Sequence, residues 1–153
     1  MEYKVSAEPA HLRAELHRRE TVEETQAFLR AVVQENARYR RACVLIVVRH
    51  SKPVFQVSAH RLIDYFEVLH DKGAHRIALF GDTRDLDMSH QYIELLARQR
   101  GLNVRSFVRE SAALAWLKDR REPRGRRNLR ERRQLGERRR QERRAGAPAP
   151  QPA

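Results

Sequence analysis

Cysteine is nearly absent from this chain: Cys43 is the only one among 153 residues. No intramolecular disulfide can form, and no cysteine pair is available for a zinc site. Cys43 lies inside an apolar run, where a thiol is expected to be buried and inert. Long hydrophobic runs are also missing. The longest, Ala42 to Val48, has seven residues, whereas a membrane span takes about 20. Met1-Glu2-Tyr3-Lys4 opens with mixed charge and no apolar stretch, unlike a signal peptide, so a soluble, cytoplasmic protein is expected. The seven histidines show no H-x-x-x-H or H-E-x-x-H spacing, and neither metal nor cofactor is expected.

Catalytic signatures are equally scarce. There is no glycine-rich phosphate cradle of the form G-x-x-x-x-G-K-[ST]. His50, Ser51 and Asp82 could be arranged as a hydrolytic trio, but no G-x-S-x-G elbow surrounds Ser51, which Lys52-Pro53 follows instead. Asp82, Asp85 and Asp87 alternate like part of a calcium loop, yet the segment is too short and its closing glutamate is missing, so turn and cap roles are expected. These absences argue against an enzyme.

Positive charge is abundant. The formal charge is +12, and 13 Arg against four Glu between Arg120 and Arg144 supply +9 of it. The remainder of the chain carries only about +3, so an anionic partner should be sought at the tail. Within it, Arg126-Arg127-Asn128-Leu129-Arg130-Glu131 is echoed by Arg132-Arg133-Gln134-Leu135-Gly136-Glu137. A degraded copy then leads through Arg138, Arg139 and Arg140 to Arg143 and Arg144. Two leucines cannot bury enough area to fold this span, and the Ala/Pro-rich end reads as extended. A domain over residues 1–120 and a disordered tail over 121–153 are therefore expected.

The first part reads as α/β. Tyr3 to Ala7 and His11 to His17 are two short strands; in the second, Leu12, Ala14 and Leu16 alternate with polar residues. Glu8-Pro9-Ala10 makes the turn of an antiparallel hairpin. Thr21-Val22-Glu23-Glu24 is a capping box opening a helix to about Tyr39, with Phe28, Leu29 and Val32 on its apolar face. Ala42 to Val48, apolar throughout, predicts a central strand covered on both faces. A second helix carries Leu62, Ile63, Phe66 and Leu69, with Ser58 as its cap and Gly73 as its stop. A strand at Arg76 to Phe80, a polar loop over Gly81 to Asp87 and a third helix from about Met88 to Arg100 follow. The chain then gives a short strand at Asn103 to Val108 and a helix around Ala113 to Leu117. This order predicts a five-stranded mixed, mostly parallel sheet flanked by four helices.

The segment Arg76-Ile77-Ala78-Leu79-Phe80-Gly81-Asp82, and the run Val104-Arg105-Ser106-Phe107 ahead of Ala113-Leu114-Ala115-Trp116-Leu117, resemble the SpoIIAA-like, STAS-type domains (sulfate transporter and anti-sigma-factor antagonist). The nearest branch is the bacterial STAS/Sec14-like proteins. The resemblance covers roughly Tyr3 to Lys118. It implies a five-stranded sheet wrapped by four helices, in a non-catalytic regulatory module of the bacterial cytosol that docks a protein partner or a small apolar ligand. It also implies a phosphorylatable Ser or Thr, between Asp and Gly, where the helix after the central strand begins. Ser58 stands near that place, between Val57 and Ala59.

The carboxyl ends of parallel strands usually carry the site. Here that end would be lined by Arg49, His50, Ser51, Lys52, Ser58, Gly81 to Asp85 (Asp82 included), Ser89 and His90, with helix starts that attract anions. An anionic ligand or a docked partner fits there, and solvated loop and cap roles are the plain alternative. The second candidate is the tail. Arg126, Arg127, Arg132, Arg133, Arg138, Arg139, Arg140, Arg143 and Arg144 are expected to bind RNA or another polyanion in a salt-dependent way. The tail has no aromatic residue, so it lacks a means of reading sequence.

Overall fold

Residues 1–57 and 61–119 are described by the structure, a computed structural model. The chain starts as a hairpin, β1 (Glu2–Ala7) and β2 (Leu12–His17), paired antiparallel with Tyr3 opposite Leu16 and Val5 opposite Ala14. Leu12, Ala14 and Leu16 are buried and the alternate residues are half-buried, as period-two patterning predicts. Helix α1 (Val22–Tyr39) begins at Thr21, whose hydroxyl oxygen accepts the Glu24 amide at 3.3 Å. Glu24 does not reach back to the Thr21 amide; its carboxylate meets the Thr21 hydroxyl instead, at 3.3 Å.

Strand β3 (Cys43–Arg49) is the middle of five, in the order β1-β2-β3-β4-β5, and all pairs after the hairpin are parallel. Val44 to Val48 are all buried, as their unbroken apolar character requires. Val44, Ile46 and Val48 face one core and Leu45 and Val47 the other. The flanking strand β4 (Arg76–Gly81) is buried throughout, and β5 (Val104–Phe107) forms the second edge. The fold is therefore the expected mixed, mostly parallel α/β sheet with four helices.

The two faces are covered unequally. The larger core joins residues of α1, α2 (Leu62–Asp71) and α3 (Arg84–Gln99) to one side of the sheet. The smaller packs Ala113, Trp116 and Leu117 of α4 (Glu110–Lys118) on Leu45, Val47, Ala78 and Phe80. On that side β2 presents Arg13 and Glu15, and Arg13 reaches α4 through Glu110 at 2.5 Å.

Two helix starts differ from expectation. The expected polar loop over Gly81 to Asp87 is short, because α3 begins at Arg84. Thr83 caps it by accepting the Leu86 amide at 3.2 Å, and Asp85 and Asp87 sit in the first turn, where the helix dipole favours them. Gly81 permits this early start: a Cβ there would lie 2.6 Å from the Leu86 Cβ. Helix α2 begins at Leu62 with Arg61, not Ser58, in the cap position. Arg61 is left-handed at φ 54° and makes no side-chain cap bond. Gly73, at φ 103°, follows α2 as expected.

Residues Met1–Lys118 form a compact unit. Ser58, and the tail arginines Arg126 to Arg144, lie outside the described residues. Among the described residues, no helix is long and apolar enough to cross a membrane.

Candidate functional site

The polar exit of β3 is built mainly from contacts within the protein. Arg49, last in the strand, follows the Cys43–Leu45–Val47 parity and so sits on the α4 face. Its guanidinium bonds Glu110 at 3.0 Å and lies 5.5 Å from the Phe80 ring centroid. His50 then turns left-handed at φ 48°, and the Asp82 carboxylate accepts its amide at 3.2 and 3.3 Å. Asp82 thus holds a turn that an L-residue adopts only at some cost.

Ser51 and Lys52 fasten the β3–α2 connection to the β2–α1 connection. Ser51 Oγ donates to the Arg49 carbonyl at 2.9 Å and accepts the Arg19 amide at 3.0 Å. The Lys52 amide donates to the Arg19 carbonyl at 3.0 Å, and the Arg19 guanidinium donates to the Lys52 carbonyl. Ser89 is buried on α3; its hydroxyl donates to the Val54 carbonyl and accepts the Val54 amide. The structure thus gathers Ser51 and Lys52 beside Arg19, sets Asp82 under His50 and buries Ser89 beneath Val54. It turns Arg49 to the opposite face of the sheet.

Two further features stand out near this exit. The first is an apolar stripe. Met88, Tyr92 and Leu95, at i, i+4 and i+7 of α3, are 50, 38 and 54% exposed. Helical spacing puts them on one face, away from the inward Ile93 and Ala97. Phe55, 51% exposed, belongs to the loop that Val54 ties to Ser89, next to Met88 in the chain.

The second is a cavity of about 30 Å³ between the sheet and α1, α2 and α3. Its lining is apolar apart from Arg19, Thr25 and His90, and all three are buried. Burial, and then the nearby Arg19 charge, holds the His90 imidazole down to a pKa of about 3, so the ring is neutral at pH 7. Burial also lowers Arg19, to about 10, which leaves it charged. His90, expected at the mouth of the site beside Ser89, is instead buried, as its helical spacing from the inward Leu86 and Ile93 requires. Nothing local marks Arg19, whose burial depends on a partner 33 positions away.

Among the described residues there is no cluster of three metal-ligating side chains. No family model, curated protein or solved structure matches this chain.

Proposed function

We propose that residues 1–118 are a non-catalytic, STAS-type regulatory module of the bacterial cytosol, docking a protein partner beside the carboxyl end of its sheet. The observation that carries this reading is the α3 stripe. Three large apolar side chains on one helical face, with Phe55 on the adjoining loop, are left in water. Apolar surface grouped in this way is a common mark of a protein contact, whereas a single exposed residue is not. Two further facts support it. The sheet and four helices have the order that the SpoIIAA-like resemblance implies. Ser51, Asp82 and Ser89 at the β3 exit are engaged in holding loops, so the apolar stripe is the larger surface left for a partner there. The partner is a protein with an apolar helix or groove, since the stripe itself offers no charge.

A double substitution, Met88→Glu with Leu95→Glu, tests this. Both side chains point outward, so the variant should keep its circular dichroism and unfolding midpoint. It should lose a partner that the wild-type full-length chain retains in stoichiometric amount from native lysate. Equal retention by both proteins would remove the reading. Loss of self-association alone would identify a second copy as the occupant.

A second reading rests on composition. The 13 Arg from Arg120 to Arg144 support contact with RNA or another polyanion, with the folded unit as an adaptor. Deleting residues from Arg120 onward should abolish retention on heparin at low salt. The full chain should elute progressively as salt rises, because neutralised phosphates or sulfates release counterions. Unchanged retention after the deletion would dispose of this reading and leave the first intact.

A further inference from the structure

The cavity beneath the helices holds an electrostatic imbalance. Arg19 is 5% exposed and keeps its charge; the Glu24 carboxylate acts on it from a distance, but among the described residues no carboxylate lies within the 4.0 Å of an ion pair. Its only side-chain hydrogen bond among them goes to the Lys52 carbonyl. A buried cation with no counterion in contact is costly, and proteins seldom keep one without a use. Two further polar groups on the same lining are incomplete: Thr25 Oγ1 and His90 Nδ1 are buried and have no hydrogen-bond partner. Buried polar atoms are nearly always satisfied, by protein or by something bound.

These facts narrow what could complete the site. What Arg19 lacks at contact distance is a single negative charge, since Glu24 acts only from farther off. A guanidinium presents parallel donors in a plane, which matches a carboxylate. The rest of the wall includes Phe28, Ile46, Phe66, Leu79 and Ile93, and it offers nothing to a sugar or to the many oxygens of a phosphate ester. On this measure of volume a water needs roughly 10–15 Å³, so a cavity of about 30 Å³ admits only a few heavy atoms. Thr25 lies in the opening turns of α1, and Leu62, also on the lining, is the first residue of α2. Helix starts add partial positive charge to the same space.

The geometry points to a binding site for a small aliphatic monocarboxylate, of acetate to butyrate size, with its carboxylate on Arg19 and its alkyl end against Phe28, Ile46 and Leu79. Thr25 supplies a hydroxyl donor to the second carboxylate oxygen, and the neutral His90 ring closes the pocket. A neutral apolar molecule would leave Arg19 unpaired. A water alone would satisfy Thr25 but not the charge. The site lies on the inward side of α3, separate from the outward stripe, so it stands whether or not a protein docks there.

The test is a nuclear magnetic resonance titration of the full-length chain with propionate, read at the Thr25 methyl and His90 ring signals. Site-resolved signals are needed because the 13 Arg of the tail attract any anion and would dominate a bulk measurement. Propionamide, of nearly the same shape without the charge, and inorganic phosphate are the comparisons. Saturable movement of both signals with propionate, and none with propionamide or phosphate, is expected. Thr25→Val, which keeps the side-chain shape, should weaken propionate roughly tenfold through one lost charge-assisted hydrogen bond. Arg19→Gln should abolish the response. If Arg19→Gln fails to fold for want of its Lys52 contact, Thr25→Val still decides. Static Thr25 and His90 signals in the wild type would overturn the inference. So would an equal response to propionamide or to phosphate, or full affinity in Thr25→Val.

Discussion

Replacing Trp116 with alanine is expected to remove about 3–5 kcal/mol of folding stability, the usual range for deleting a large buried ring. Helix α4 is the cover for the second face of the sheet among the described elements, and Trp116 is its largest buried residue, 6% exposed. The ring lies 5.6 Å from that of Phe107. The guanidinium carbons of Arg76 and Arg105 stand 5.8 and 5.6 Å from the indole. The Trp116 carbonyl accepts from Arg76 Nη1 at 2.8 Å, so the buried arginine is held by both the backbone and the ring of one residue. Truncation would open a cavity over Ala78 and Phe80 and leave Arg76 without its π face. Arg13 and Arg49 would still hold Glu110 from the other end of α4, but such partly exposed ion pairs contribute only about 0–1 kcal/mol each. Trp116→Phe should lose markedly less, since an aromatic face remains. Urea unfolding must be followed by circular dichroism, because Trp116 is the sole tryptophan and its fluorescence disappears with it. A loss below about 1 kcal/mol would mean that α4 is not seated as described.

The contrast between elements shows what a single sequence can and cannot carry. The hairpin, β3 and β4 were legible because side-chain parity and unbroken β-branched runs are local properties of the chain. The place of β3 at the sheet centre followed from the same run: seven apolar residues need cover on both sides. The start of α3 was hidden because Asp82, Asp85 and Asp87 look like loop composition. The decisive fact, Thr83 accepting the Leu86 amide, is a cap geometry that aspartates in the first turn then reinforce. The candidate site was harder still. Ser51, Asp82 and Ser89 stand out in the sequence only as polar residues near strand ends, and each has a role in holding a loop that only long-range contacts reveal. Strand parity alone would have sent Arg49 to the α4 side. The burial of Arg19 had no local signature, since an arginine between Arg18 and Glu20 reads as surface.

Acid should weaken this domain well before its carboxylates are protonated, and His90 is the reason. In the unfolded chain an imidazole titrates near 6.5; in the fold, burial first and the Arg19 charge second depress it to about 3. Between those values the unfolded chain binds a proton that the folded chain refuses. Stability therefore rises with pH across the window, is fully present above 6.5, and is lost as pH falls toward 3. Each unit is worth about 1.4 kcal/mol, so roughly 2 kcal/mol should be gone by pH 5 and about 4–5 kcal/mol by pH 3. That is a large part of the 5–15 kcal/mol typical of a domain. Glu15, held low by Arg13 against the cost of its own burial, pulls in the same direction, but only below its ordinary 4.5. His11 is also lowered by burial, yet it is far more exposed to solvent and its share is smaller. Urea midpoints at pH 7, 6 and 5 separate these contributions. The wild type should show the full decline and His11→Gln most of it, whereas His90→Leu should be nearly flat across the same range. His90→Gln should be flat too, which separates loss of the titrating group from loss of ring volume. A decline that survives both His90 substitutions would place the titrating group elsewhere and mean that the ring reaches water in the folded protein.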